Sequence, residues 1–278
     1  MAGKKLRYPT GVRPLLVAES ARRRAVEARV TAILERAGFD EVILPIIDYA
    51  DAYAVAGAVD SRQTYRFVDR DGDLVALRSD FTPMLARALA PTLTPAELPL
   101  RVFYRGDVIR YEASRLGTDR EMFQIGAEII GDASPQADIE SLSLVSEILR
   151  DLGTKPTIVF TDSTIPERVA PDAREWLATK RAPSNAPEIV KRLIAGTAKT
   201  SDLPPDIGER LEAIAQACTD CVIHLDDVDR TRGYYTGLRF RAYDAASRVV
   251  IAQGGRYDNL YEKFGSAAPA VGFTITCE

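Results

Sequence analysis

The chain has 278 residues, of which 46% are hydrophobic and 27% charged, and a formal net charge of −4. That balance belongs to an ordinary globular protein long enough to bury a sizeable core; no basic excess marks a nucleic-acid binder, and no apolar run reaches the roughly 20 residues that span a bilayer. Three cysteines, an odd number, speak against a disulfide framework, and the start MAGKKLRYPTG lacks the apolar segment of a secretory signal, so a cytoplasmic protein is expected.

Residues 7–15 form an irregular lead-in punctuated by Pro9, Gly11 and Pro14. A helix is expected over 19–37, where Val26, Val30, Ile33, Leu34 and Ala37 share one stripe and Gly38 suits a left-handed cap. Residues 41–47 read as an apolar strand; Pro45 removes a ladder donor, which places the strand at a sheet edge or an interface. After an irregular or short helical connection, 64–68 and 74–77 read as strands around the turn Asp69-Arg70-Asp71-Gly72. Thr82 and Pro83 read as the cap and first residue of a helix running to 90. Asp80 then lies at a strand–helix junction beside a positive helix end.

The stretch 101–131 reads as two strands, 102–111 and 122–130, joined by a polar loop with Arg115, Gly117, Asp119 and Arg120. Period-2 alternation puts Gln124 and Glu128 on one face, with Arg110 at the end of the first strand. An arginine, an amide and a carboxylate on one face suit a small ligand carrying both an amine and a carboxylate, because a guanidinium grips an anion bidentately and a carboxylate holds an ammonium. The same residues also suit a solvated face with ordinary cross-strand ion pairs.

Ser134 and Pro135 open a helix to 152, with Ile139, Leu142, Val145, Ile148 and Leu149 on one stripe, and 157–161 reads as a short strand. Residues 163–224 are polar, helix-prone and broken by prolines. They read as a helical insertion outside the sheet, between a core of 1–162 and 225–278. Cys218 and Cys221, with His224 nearby, make half a metal site at most; no metal is expected, and the two cysteines are expected as semi-buried thiols. Residues 229–243 and 248–252 read as paired strands. Gly254-Gly255 mark a turn or a close backbone approach. A short helix to 264 and a strand over 270–276 follow. Neither a P-loop nor a dinucleotide fingerprint is present, and no cofactor is expected.

The run I-R-Y-E (109–112), a loop with glycine and arginine, then F-Q-I-G-A-E (123–128) resembles motif 2 of class II aminoacyl-tRNA synthetases. With A-L-R-S-D-F-T (76–82), R-T-R-G-Y-Y-T-G (230–237), Q-G-G-R-Y-D (253–258) and A-V-G-F (270–273), the order is similar to the catalytic core of the histidyl branch. The helix–strand–proline order near the start resembles motif 1, which builds the homodimer interface in that class. The resemblance covers most of 1–160 and 225–278. It implies an α+β fold, a class II aminoacyl-tRNA synthetase-like antiparallel sheet flanked by helices, with a small helical insertion. It also implies that Asp80 and Thr82 hold the amino group of a bound histidine, with Gln124 and Glu128 nearby. Arg110 would grip a phosphate, Arg230 would neutralise carboxylate and phosphate charge, and Tyr235 and Tyr257 would surround the imidazole.

The departures from the histidyl pattern are specific. Asp80 stands where those synthetases carry glutamate, Gly233 where they carry an acid, and Thr118-Asp119 where an arginine–tyrosine pair is typical. The sequence stops at Glu278, before the motif 3 arginine and the anticodon-binding domain. S-D-F-T-P-M-L-A-R (79–87) is closer to the regulatory subunits of ATP phosphoribosyltransferase. The resemblance therefore implies a chain with no catalytic residues of its own. It would partner a short-form ATP phosphoribosyltransferase catalytic subunit as a homodimer core within a hetero-oligomer, with histidine as effector and no tRNA. A catalytic-core fragment of a histidyl-tRNA synthetase, or a tRNA-independent amino-acid adenylating enzyme, is the alternative.

Overall fold

The structure, a computed structural model, describes residues 8–57, 63–111, 119–227, 234–244 and 249–277. Helix α1 (Val17–Arg36) forms where its apolar stripe predicts: Val30, Ile33 and Leu34 are buried, and Val26 and Ala37 rest on the same core. The single strand expected over 41–47 is instead two short strands in two sheets, β1 (Asp40–Glu41) and β2 (Ile47–Tyr49). Between them the carbonyls of Leu44 and Pro45 accept from the Arg78 guanidinium at 2.9 and 3.2 Å. A side chain thus takes the ladder's place and the chain crosses from one sheet to the other.

Helix α2 (Ala50–Ala56), the hairpin β3 (Arg66–Val68) and β4 (Leu74–Leu77), and α3 (Thr82–Leu89) come next. The long hairpin β5 (Leu100–Ile109) and β6 (Glu121–Ile130) pairs antiparallel along its whole length. Helix α4 (Pro135–Asp151) and β7 (Pro156–Asp162) lead into α5 (Ile165–Val169), α6 (Ala173–Thr179), α7 (Glu188–Ile194) and α8 (Pro205–Ala217). Strands β8 (Cys221–Ile223), β9 (Leu238–Asp244), β10 (Val250–Arg256) and β11 (Ala270–Thr276) follow.

The main sheet has the order β1-β5-β6-β11-β10-β9-β7-β8; a second has the order β2-β4-β3. In the main sheet β1 runs parallel to β5 and β7 parallel to β8, and the other pairs are antiparallel. This is an α+β architecture, a mainly antiparallel sheet flanked by helices. Strand parity divides the interior. Ile125, Ala127 and Ile129 of β6 join Val271, Phe273 and Ile275 of β11 in a core shared with α1 and α4. On the other face Val102, Tyr104 and Val108 of β5 pack with α3 and Tyr257. Each aliphatic side chain so buried contributes about 1.5–3 kcal/mol.

The segment 163–224 adds Leu177, Val190, Leu193, Leu211 and Ile214 to the first core. Its residues 221–223, expected outside the sheet, form the edge strand β8, because Cys221 and Ile223 rest on that core while the chain pairs with β7. Cys218 and Cys221, expected as thiols, are joined in a disulfide; the end of α8 leaves their Cα atoms 5.3 Å apart, within bridging distance. Gly254 and Gly255 lie inside β10, not in a turn. Among the described residues no helix is long and apolar enough to cross a membrane.

Candidate functional site

The pocket lies on the face of the sheet that carries the even-numbered residues of β5, β6 and β11 and the odd-numbered residues of β10, where the four strands run side by side. Register builds it: Glu128 of β6 stands opposite Gly272 of β11, and Gly272 opposite Gly255 of β10. A Cβ at 272 would meet Glu128 Oε2 at 1.4 Å, and one at 255 would meet the Tyr235 ring at 2.7 Å. Both positions therefore take the one residue without a side chain, and the carboxyl and the ring occupy the space.

Glu128 forms the floor and is 1% exposed. Its carboxylate accepts from Thr82 Oγ1 at 2.9 Å, from the Tyr104 hydroxyl at 3.0 Å and from the Tyr257 hydroxyl. No lysine or arginine among the described residues pairs with it. Burial pushes the carboxyl up to about 7, against the pull of the three hydroxyls. Its hydrogen bonds are thus satisfied and its charge is not, and an arriving ammonium would supply the missing charge.

Thr82 is the first residue of α3 and not its cap. The Asp80 carboxylate accepts the Thr82 N–H at 3.0 Å, which leaves the hydroxyl to reach Glu128. Asp80 stands at the mouth, half-buried. Burial raises its carboxyl from the usual range, with Arg110 opposing. Arg110 Nη2 lies 3.9 Å from Asp80 Oδ2, while its Nε donates to the Ser79 carbonyl at 2.6 Å. Gln124 shares the face with Glu128 and is buried. Tyr257 stacks on Tyr234 with centroids 5.7 Å apart, and Tyr234 meets Tyr235 edge-on at 4.9 Å. This aromatic wall offers faces and hydroxyls to a flat polar ring.

Asp80, Thr82, Arg110, Gln124, Glu128, Tyr235 and Tyr257 thus line one pocket. Arg230 lies outside the described residues, as do Glu112, Arg115, Gly117, Thr118 and Gly233. Asp119 and Arg120 sit elsewhere, one 3.9 Å from Arg13 Nε and the other with its guanidinium over the Tyr111 ring. Sequence reasoning missed Tyr104, Tyr234 and Gly272. In R-V-F-Y-R (101–105) a tyrosine reads as core; its signal was the glycine, Gly126, that faces it across the strands.

A family model described as Histidyl-tRNA synthetase matches residues 11–182 and 164–278. An ATP phosphoribosyltransferase regulatory subunit of Desulforamulus reducens is 30% identical, over 98% of this chain and 77% of its own. A crystal structure described as an ATP phosphoribosyltransferase regulatory subunit/histidyl-tRNA synthetase from Bacillus halodurans superposes with a TM-score of 0.83, covering 98% of this chain and 81% of that one; at 24% identity the likeness is one of fold. A Histidine–tRNA ligase subunit from Alicyclobacillus acidocaldarius is similar at a TM-score of 0.79 and 26% identity, over 98% and 95% of the two chains.

Proposed function

The chain belongs to the ATP phosphoribosyltransferase regulatory subunits, within the histidyl-tRNA synthetase family, and from that premise we propose that it activates a short-form ATP phosphoribosyltransferase and takes part in its feedback inhibition by histidine. In this reading the chain does no chemistry. It works in the cytoplasm, without tRNA, on the enzyme that opens histidine biosynthesis. Glu128 carries the reading: a buried acid whose donors among the described residues are all neutral, beside Arg110 and a tyrosine wall, suits a ligand with an ammonium, a carboxylate and a flat polar ring. Control then follows from linkage, since histidine regulates by binding one state of the assembly better than another.

The test is turnover of a short-form ATP phosphoribosyltransferase with and without this chain, then with histidine added. The chain should raise turnover and histidine should lower it. No effect of either, together with histidine-dependent ATP–pyrophosphate exchange by the chain alone, would overturn the reading in favour of an adenylating enzyme. We further propose a homodimer core seamed through 20–47, supported by the outward-facing Ile43, which is 87% exposed. Light scattering at micromolar concentration should give the mass of a dimer.

A further inference from the structure

Behind the pocket, Arg210 of α8 reaches Asp138 in the first turn of α4. Its Nε donates to Asp138 Oδ2 at 2.9 Å, and Nη2 makes a second, shorter bond to the same oxygen. Asp138 Oδ1 takes the Arg256 Nε at 2.9 Å. Asp138 is 0% exposed and Arg256 1%. Arg256 gives its remaining N–H groups to the carbonyls of Asp132 and Ser134 and to Asp258 Oδ1, at 3.0, 3.2 and 3.0 Å.

This trio abuts the backbone that carries the tyrosine wall. A Cβ on Gly237 would lie 3.4 Å from both Arg210 Nη1 and Arg256 Cδ. The Thr236 N–H donates to the Arg256 carbonyl at 2.8 Å, and the Asp258 N–H to Thr236 Oγ1 at 2.9 Å. One end of the cluster is therefore a helix of the 163–224 segment, and the other end is the chain between Tyr235 and Tyr257. The two arginines differ in one respect. The Arg256 side chain is sealed at 2% exposure, whereas that of Arg210 is 23% exposed. Without Arg210, Asp138 keeps Arg256 as its partner, so Arg210 is the member whose docking can be removed by itself.

We infer that Arg210 is a positioning residue: docked on Asp138, it seats the 234–237 and 256–258 backbone so that Tyr235 and Tyr257 close the pocket, which makes the α5–α8 segment a coupling element for ligand binding. The inference rests on the pocket reading given above. It differs from a merely structural ion pair in what it moves, namely local order and affinity at nearly constant global stability.

The experiment uses the full chain as Arg210→Met and Arg210→Lys variants, with Arg168→Ala as control, since the Arg168–Asp206 pair joins α5 to α8 on the surface. Amide hydrogen exchange of the free protein, melting temperature and calorimetric affinity for histidine are measured on each. Arg210→Met should speed exchange at 234–237 and 256–258, and weaken histidine binding, each about tenfold. Its melting temperature should fall by about 3 °C or less. Arg210→Lys should restore part of both local effects, and Arg168→Ala should change neither. Unchanged exchange at those amides in Arg210→Met would overturn the inference, as would a loss spread over the whole chain that lysine does not rescue. If the wild-type chain binds no histidine, the pocket reading fails by itself, and the exchange data still decide what Arg210 does.

Discussion

The pocket floor and the junction behind it each hold a buried carboxylate, and the two are satisfied in opposite ways. Glu128 accepts from three hydroxyls and meets no cation among the described residues. Asp138 receives two guanidiniums. Neutral donors settle lone pairs but leave the charge in a medium that solvates it poorly, whereas guanidiniums settle both. A buried acid with resident cations ties elements of the fold together. One without them gains most when a cationic group arrives, so the difference separates an acid that holds structure from one that receives a ligand.

The contrast breaks first at Asp138. Replacing it as Asp138→Asn leaves Arg256 buried beside a neutral amide, and urea denaturation should show a loss of about 3–5 kcal/mol; a loss under about 1 kcal/mol would erase the distinction. Glu128→Gln should do the reverse. It should cost little stability at neutral pH and weaken the binding of histidine by about 1.5–3 kcal/mol through loss of a charge-assisted contact. Calorimetry giving wild-type affinity would reassign Glu128 to structure.

The most gradual effect is a slope against pH. The Glu128 carboxyl titrates near 7 in the folded protein and at its ordinary value of 4.5 in the unfolded chain, so the folded state binds more protons in between. This group's contribution is fully present below the lower value and is lost as pH rises through the upper one, by at most about 1.4 kcal/mol per pH unit. Urea midpoints measured between about pH 5 and pH 7 should therefore carry a downward slope that Glu128→Gln removes. Equal slopes in the two proteins would mean that the carboxyl titrates normally.

Much of this site could be read in advance, because strand parity is local. Period 2 alone put Gln124 and Glu128 on one face, and the strand over 270–276 has the bounds its apolar pattern implied. What escaped depends on partners distant in sequence. Nothing near Asp138 announces Arg210 or Arg256, which arrive from 72 and 118 residues away. Gly272 sits in the apolar run A-V-G-F-T-I-T, and only register reveals that its missing side chain is where Glu128 goes. The strand over 41–47 split because a buried guanidinium, Arg78, took the carbonyls that a neighbouring strand would have taken. Thr82 looked like a cap because Thr-Pro commonly opens helices; Asp80, two residues earlier, accepted that N–H and changed what the hydroxyl could do.

The central position of β11 also has a consequence for biosynthesis. It is inserted between β6 and β10, pairing residue 272 with residue 128. Ribosomes extend a chain at about 5–20 residues per second, and domains fold as units as they emerge. Until residues 270–276 have left the exit tunnel, β6 has no neighbour on that side and presents an open row of amides and carbonyls, the kind of template on which nascent chains aggregate. The Glu128 carboxyl is wet and ordinary at that stage. Its unusual environment cannot form before that strand is in place, so holdase chaperones that shield the unfinished sheet act before the pocket exists.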